Sequence, residues 1–225
     1  MQIQIEHLTK KIKGVTVLDD ITYSFQGGRI YGLSGKNGCG KTMLMRSIAG
    51  LIYPTSGKIM IDGEILGKDI SFPKSMGLLI ENPVFLRDYT GFENLRLLAG
   101  IQGGISDDEI REVLEKVGLL PDDKRKYYKY SLGMRQRLGI AAAIMGEPDV
   151  ILLDEPINAI DVDGVEEIRD TIRNLVDENR IIIIACHDKE EMDYMADTVI
   201  RMAEGRIWEG ESVFVKRKNI IQSLY

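Results

Sequence analysis

An α/β fold follows from three features of this 225-residue sequence. Two nearly continuous apolar runs, Val150-Ile151-Leu152-Leu153 and Ile181-Ile182-Ile183-Ile184-Ala185, have the composition of parallel strands buried on both faces. A helical pattern from Val165 to Glu178 lies between them and supplies a crossover. A third apolar run, Ile30-Tyr31-Gly32-Leu33, leads into the glycine-rich stretch Gly35-Lys36-Asn37-Gly38-Cys39-Gly40-Lys41-Thr42, and a helix-like run from Met43 to Ala49 follows.

The remaining elements are placed in chain order. Residues 1–30 read as short strands and turns: Ile3 and Ile5, then Val15 to Leu18, then Ile21, Tyr23 and Phe25 in alternation, with a turn at Gly27-Gly28. Gly50 ends the helix after the glycine loop, and Pro54-Thr55-Ser56-Gly57 is a turn. Lys58 to Gly63 is a strand entering a hairpin, and Ser75 to Ile80 is a further apolar strand. The pattern becomes helical near Pro83. Thr90 caps a helix carrying Glu93, Leu95, Leu97 and Leu98. Ser106 and Glu109 have capping-box spacing ahead of a helix with Ile110, Val113, Leu114 and Val117 on one face. Residues 82–137 therefore read as a helical insertion, and 1–81 with 138–225 as the core that it interrupts. Lys124-Arg125-Lys126 reads as a solvated turn. Residues 198–210 read as a hairpin through Glu204-Gly205, with Trp208 as a packing residue.

Composition narrows the class. Apolar residues make up 44% and charged residues 28%, ordinary for a globular domain, and the net charge is −6. That balance argues against nucleic acid as the partner. No run of about 18 apolar residues exists to span a membrane. The amino terminus alternates like a strand and lacks the apolar core of a signal peptide. Cys39 and Cys186 suggest reduced thiols rather than a disulfide framework.

The chemistry-bearing residues point to a nucleoside triphosphate, ATP or GTP. Glycines in G-x-x-x-x-G-K-[ST] spacing let backbone amides converge on phosphate oxygens. Lys41 adds a point charge at the β and γ phosphates, and the Thr42 hydroxyl can ligate magnesium. Cys39 is a small tolerated side chain, or a thiol whose thiolate the same positive field stabilises. Asp154 and Glu155 end an apolar strand: the first can hold the ion, the second can polarise water for attack on the γ phosphate. His187 follows the next strand, where ligand sites gather. It either donates to the γ phosphate or caps a turn before Asp188 and Glu190. Tyr130-Ser131-Leu132-Gly133-Met134-Arg135-Gln136-Arg137 starts a second helix able to bind an anion. That makes sense if it faces the nucleotide of another subunit.

In combination, GKNGCGKT, YSLGMRQR, VILLDEP, NAID and ACHD resemble the nucleotide-binding subunit of ABC transporters along essentially the whole chain. The resemblance implies a P-loop NTPase (RecA-like) core with an antiparallel β subdomain and an inserted α-helical subdomain. It implies ATP and Mg²⁺ bound at a head-to-tail self-dimer, and an integral-membrane permease docked on the helical insertion. The chain would then be cytoplasmic and peripheral on the inner face of the cell membrane. Glu155, His187 and Lys41 match catalytic positions. Ile12, Gly35, Asn37, Gly38, Cys39, Gly40, Lys41, Thr42, Met43 and Glu81 match the nucleotide site, with Ser131, Gly133 and Asp161 reaching it from the partner subunit. Thr42, Asp154 and Glu81 match metal-binding positions.

The sequence departs from that pattern at several points. Tyr130, Leu132 and Met134 replace the usual first, third and fifth signature residues, which leaves Leu132 a backbone or packing role. Glu81 stands where a glutamine is usual, so it cannot donate as an amide and brings negative charge near phosphate. Ile12 stands where an aromatic ring would stack on adenine. Leu79-Ile80-Glu81-Asn82-Pro83 together with Ser131-Leu132-Gly133-Met134 is similar to transporters conferring immunity to lantibiotics and bacitracin-like peptides. A soluble relative acting on nucleic acid or ribosomes is the alternative. The single domain and acidic charge weigh against it, and the absence of sustained heptads weighs against a coiled-coil chromosome-maintenance relative. A nucleotide sensor that does not hydrolyse would not need Lys41, Thr42, Asp154, Glu155 and His187 together.

Overall fold

The computed structural model describes residues 1–81, 83–208 and 213–214. Two sheets carry the chain. The first is antiparallel, in the order β2-β1-β4-β5, built from β1 (Gln2–Ile12), β2 (Val15–Gln26), β4 (Ser56–Ile61) and β5 (Glu64–Ile65). The short strands expected in residues 1–30 are in fact two long ones. Register shifts between Ile5, Leu8, Lys10 and Lys11 interrupt the alternation, with left-handed residues at His7 and Asp20. Such bulges hide a continuous strand from a period-two reading.

The second sheet runs β10-β9-β3-β8-β7-β6, where β10 is Arg206–Ile207, with β11 (Val213–Phe214) also paired to β9. Its centre is parallel: β3 (Arg29–Ser34) lies between β8 (Ile181–Ala185) and β9 (Thr198–Ala203), and β7 (Val150–Asp154) lies between β8 and β6 (Met76–Leu79). The alternating side chains of β7 and β8 feed two separate cores. Ile151, Leu153, Ile182 and Ile184 pack with the helices α2 (Gly91–Gln102), α3 (Asp107–Lys116) and α4 (Leu132–Ile144). Val150, Leu152, Ile181 and Ile183 pack with α1 (Lys41–Ile48) and the antiparallel sheet. Gly77 permits β6 to approach α4: a methyl there would lie 1.6 Å from the Ala143 carbonyl oxygen.

Both expected capping boxes are present, Thr90 with Glu93 on α2 and Ser106 with Glu109 on α3. They fix where the helical segment starts each turn, at roughly 1 kcal/mol per cap. α4 runs continuously through residue 137, so one helix serves both the helical segment and the core. Arg125 pairs with Asp123 and Lys126 with Glu93, which keeps the basic turn solvated.

Two expectations need correction. The crossover helix α5 is Val162–Asn174 rather than 165–178. Asp161 takes its N-cap, and the Asp177 carboxylate accepts from the N–H groups of Asn179 and Arg180. That turn competes with helix beyond Leu175. Trp208, just past β10, is 68% exposed and does not pack; its backbone N–H donates to the Arg201 carbonyl of β9. The 204–205 turn is present, and residues 209–210 of that hairpin lie outside the described residues. Among the described residues no helix is long and apolar enough to cross a membrane.

Candidate functional site

Strand register gathers the site. Leu33 pairs with Ala185, and Ala185 pairs with Asp154, so β3, β8 and β7 end in one row. The chain leaves them side by side at the carboxyl edge of a parallel sheet, where ligands bind in open α/β folds. Three exits follow: the glycine loop after β3, Glu155 after β7, and Cys186-His187 after β8.

The loop is shaped by left-handed glycines. Gly38 (φ 80°) opens on free space, and a methyl at Gly40 (φ 110°) would come within 3.0 Å of the Val17 carbonyl. Lys41 is buried, and its ammonium donates to the Gly35 carbonyl at 2.6 Å and, more weakly, to that of Lys36 at 3.4 Å. α1 begins at Lys41 without a side-chain cap, so its first N–H groups remain available for an anion. Asn37 is exposed on the loop, and Met43 is half-buried against the core. Cys39 is buried in the apolar cluster with Sγ beside Gly35. That placement favours the packing reading over the reactive-thiolate one.

The Thr42 hydroxyl donates to Asp154 Oδ2 at 2.6 Å, bringing the two expected metal-binding groups together. Burial pushes the Asp154 carboxyl above its usual range. The Thr42 hydrogen bond opposes the rise, Glu155 adds to it, Lys41 opposes it, and Glu81 adds again. A half-buried carboxylate crowded by two others, with a hydroxyl oxygen beside it, is a donor set that fits a hard divalent cation such as magnesium.

Glu155 adopts left-handed backbone (φ 49°), anchored by its N–H donating to the Ala185 carbonyl at 2.8 Å. His187 Nδ1 lies 2.9 Å from both Glu155 carboxylate oxygens. The capping role considered for His187 belongs to Asp188, which accepts from the N–H groups of Glu190 and Glu191 at the start of α6 (Lys189–Met195). Cys186 lies close by but is buried, and its thiol is pushed up to about 11, first by desolvation.

Other expected residues sit further out. Glu81 has left-handed backbone (φ 61°) and pairs with Arg46 of α1 at 2.5 Å. Ile12 is exposed at the β1–β2 turn. Ser131 is exposed and caps α4 by accepting from the Met134 N–H at 3.1 Å. Gly133 packs against the next loop: a methyl there would lie 2.8 Å from the Ala159 carbonyl. Asp161 sits at the start of α5, within 3.4 Å of Arg137. Among the described residues, no hydrogen bond or ion pair links Ser131 or Gly133 to the glycine loop. Tyr130 is buried, and its hydroxyl accepts from the Gly91 N–H.

Three side chains gain a place here that sequence reasoning did not give them. Gln136 donates to the carbonyls of Glu155 and Pro156. Arg137 links the Val117 carbonyl, Glu167 and Asp161. Arg46 neutralises Glu81.

A family model described as ABC transporter matches residues 18–158. The chain belongs to the ABC transporter family. It is one of the family's ATP-binding, ATP-hydrolysing subunits, and membership implies the use of ATP with Mg²⁺. As an ABC transporter ATPase it is 49% identical over 96% of its length to YybJ of Bacillus subtilis strain 168, an ABC transporter ATP-binding protein of which 99% is covered. It is 42% identical over 92% of its length to the bacitracin transport ATP-binding protein BcrA of Enterococcus faecalis, covering 68% of that protein. The lantibiotic transport ATP-binding protein SrtF of Streptococcus pyogenes is 34% identical over 91% of this ABC ATPase, with 88% of SrtF covered. Its fold matches the ATP-binding cassette MJ0796, solved as a dimer bound to ADP and Pi, with a TM-score of 0.82 at 23% identity over 93% of this chain and 97% of that one.

Proposed function

We propose that this ABC ATPase forms a head-to-tail dimer with two ATP molecules at the interface and drives export through a separate integral-membrane permease. The cargo class suggested is a peptide antibiotic of the bacitracin or lantibiotic type. Similarity to BcrA and SrtF supports that class, as does the sequence pattern around Glu81 and the signature helix. On this reading the chain works at the cytoplasmic face of the cell membrane, with residues 82–137 as the unit that meets the permease.

The observation that carries the hydrolytic part is the joint placement of Thr42 with Asp154 and of Glu155 with His187 at one sheet edge. Lys41 and the first N–H groups of α1 bind the phosphates. Thr42 and Asp154 hold the magnesium ion, whose charge, when bound, offsets that of the γ phosphate. Glu155 accepts the proton of the attacking water. His187 holds the Glu155 carboxylate in place and faces the same edge. Among the described residues, Ser131 and Gly133 make no hydrogen bond or ion pair with the loop of their own subunit, which supports a role in the site of a second one.

The test is light scattering on Glu155→Gln with Mg-ATP. A mass near twice the 25.3 kDa monomer, reverting on nucleotide removal, is the expected result. The double variant with Ser131→Ala should stay monomeric at the same concentration. A nucleotide-bound chain that remained monomeric in both backgrounds, and in the presence of its permease, would overturn the dimer.

A further inference from the structure

The exits of β7 and β8 bring three chemically different metal-ligating groups together. Asp154 pairs with Ala185, so the next residues, Glu155 and Cys186, leave the sheet side by side. His187 follows directly. A carboxylate oxygen of Glu155, Cys186 Sγ and a ring nitrogen of His187 all lie within 4.8 Å of one another. Among the described residues this is the one group of three histidine, cysteine or acidic side chains close enough to share an ion. The hydrolytic reading gives Cys186 no task.

The sulfur is held as a ligand atom would be. Its inner side packs on Met192, Ala196 and Val199, and the Asp188 N–H donates to it. Such a donor orients a ligand before the ion arrives. The backbone is anchored on both strands: the Cys186 N–H donates to the Leu33 carbonyl at 3.4 Å, and the Glu155 N–H to that of Ala185 at 2.8 Å. The His187 side chain is 55% exposed and is free to turn.

The donor set selects the ion. Magnesium takes oxygen ligands, which Thr42 and Asp154 supply. Thiolate, imidazole and carboxylate together suit zinc and its neighbours. Ligand atoms around a tetrahedral zinc stand about 3.3–3.6 Å apart. His187 Nδ1 is already 2.9 Å from both Glu155 oxygens. That pair opens slightly and the sulfur side closes by up to about 1 Å, which rotation of the imidazole provides.

We infer that Glu155, Cys186 and His187 form a second cation site, which takes a zinc-class divalent ion with water in the fourth position and reversibly switches the ATPase off. The switch rests on the hydrolytic roles proposed for Glu155 and His187. Coordination breaks their mutual hydrogen bond and occupies the lone pairs that both present at the sheet edge. One proton leaves to solvent, from the thiol. The imidazole keeps its proton on Nε2, and no electron is transferred.

The first readout needs no turnover. Cobalt(II) chloride is titrated into the reduced, nucleotide-free full-length chain while its absorption spectrum is recorded. A sulfur-to-cobalt charge-transfer band in the near ultraviolet is expected, saturating at one ion per chain. Zinc should bleach it, and excess magnesium should not. Cys186→Ser should abolish the band, and Cys39→Ser, at the other thiol of the chain, should keep it. His187→Gln should weaken cobalt binding about tenfold or more. Melting temperatures without metal are the folding control, and H187Q, altered at an exposed side chain, tests the site even if C186S does not fold. A wild-type chain without the band, a band that survives C186S, or unchanged cobalt affinity in H187Q would overturn the site, while normal Mg-ATPase would leave the hydrolytic reading standing. The second readout is ATPase rate in excess magnesium against added zinc, each protein scaled to its own zinc-free rate. Half-inhibition should need about tenfold more zinc, or more, in C186S. Equal inhibition of C186S and wild type would overturn the switch. A Cys186-dependent cobalt band beside hydrolysis indifferent to zinc would overturn both the switch and the roles given to Glu155 and His187.

Discussion

Gln136→Leu is the sharpest probe of how the signature helix is joined to Glu155, the proposed catalytic carboxylate. Gln136 is 8% exposed, and its amide donates to Glu155 O at 3.0 Å and Pro156 O at 3.1 Å. The Glu155 carbonyl keeps a second donor, the Asn158 N–H at 3.2 Å, whereas Pro156 has no other partner among the described residues. The substitution therefore removes two hydrogen bonds of about 1 kcal/mol each and orphans one carbonyl at about 1–3 kcal/mol. Burial of the leucine returns about 1–2 kcal/mol. The net expectation is about 2 kcal/mol of destabilisation, which lowers the melting temperature of a chain this size by about 4–8 °C.

The kinetic effect should be larger than the stability effect implies. Glu155 sits in left-handed backbone, which costs a non-glycine residue about 1–2 kcal/mol and persists only while its surroundings enforce it. Gln136 is one of those surroundings. Releasing it lets the Glu155 turn relax, and a shift of about 1 Å in a catalytic group costs on the order of a hundredfold. Steady-state ATPase assays should show kcat down between about tenfold and a hundredfold. ATP affinity, set by the glycine loop, should stay within about twofold because Gln136 does not touch that loop. A kcat within about twofold of wild type, alongside the expected drop in melting temperature, would refute the link between this helix and Glu155.

Three further outcomes are expected. Asp154→Asn should raise the melting temperature of the nucleotide-free chain while removing its stabilisation by Mg-ATP. The folded carboxyl has a raised pKa, so the native state binds more protons between the unfolded and folded values. Stability is therefore lost as pH rises through that window, and the advantage of D154N over wild type in thermal scans should shrink toward pH 4. Arg46→Met should weaken ATP binding measured without magnesium, since the charge of Glu81 is no longer offset, and adding Glu81→Gln should restore it; affinities equal in all four proteins of the cycle would dismiss the pair. Ser131→Ala removes the cap of α4 and should cost about 1 kcal/mol in urea unfolding, with hydrolysis falling further than that loss explains.

The parallel strands and the loop were legible because each announces itself locally. A run such as Ile181–Ala185 is apolar on both faces, and glycine spacing needs no tertiary information. The capping boxes at Thr90 and Ser106 were legible for the same reason. The β1–β2 hairpin was not, since three register shifts break its alternation. The end of α5 was misplaced because Asp177 takes the chain into a turn that helical periodicity does not register. Gln136, Arg137 and Arg46 could not be assigned from sequence at all. Their partners, Glu155, Asp161 and Glu81, lie 19, 24 and 35 residues away, and only the fold brings them into contact.

Charge at the sheet edge explains why these distant partners matter. Asp154, Glu155 and Glu81 act on one another electrostatically, and the site must still accept a polyanion. Lys41 opposes that charge from within the loop, and its ammonium is held to the Gly35 carbonyl rather than to a carboxylate. Arg46 offsets Glu81, and His187 meets Glu155. Among the described residues that leaves Asp154 with the Thr42 hydroxyl as its hydrogen-bond partner, and its carboxyl is pushed up first by burial and further by Glu155 and Glu81. On the proposed reading, Thr42 and Asp154 would hold a divalent cation supplied with the nucleotide, and its charge would offset that of the carboxylates. The replacement of glutamine by Glu81 is therefore tolerable because the same helix that follows the phosphate loop carries Arg46 one turn beyond Thr42.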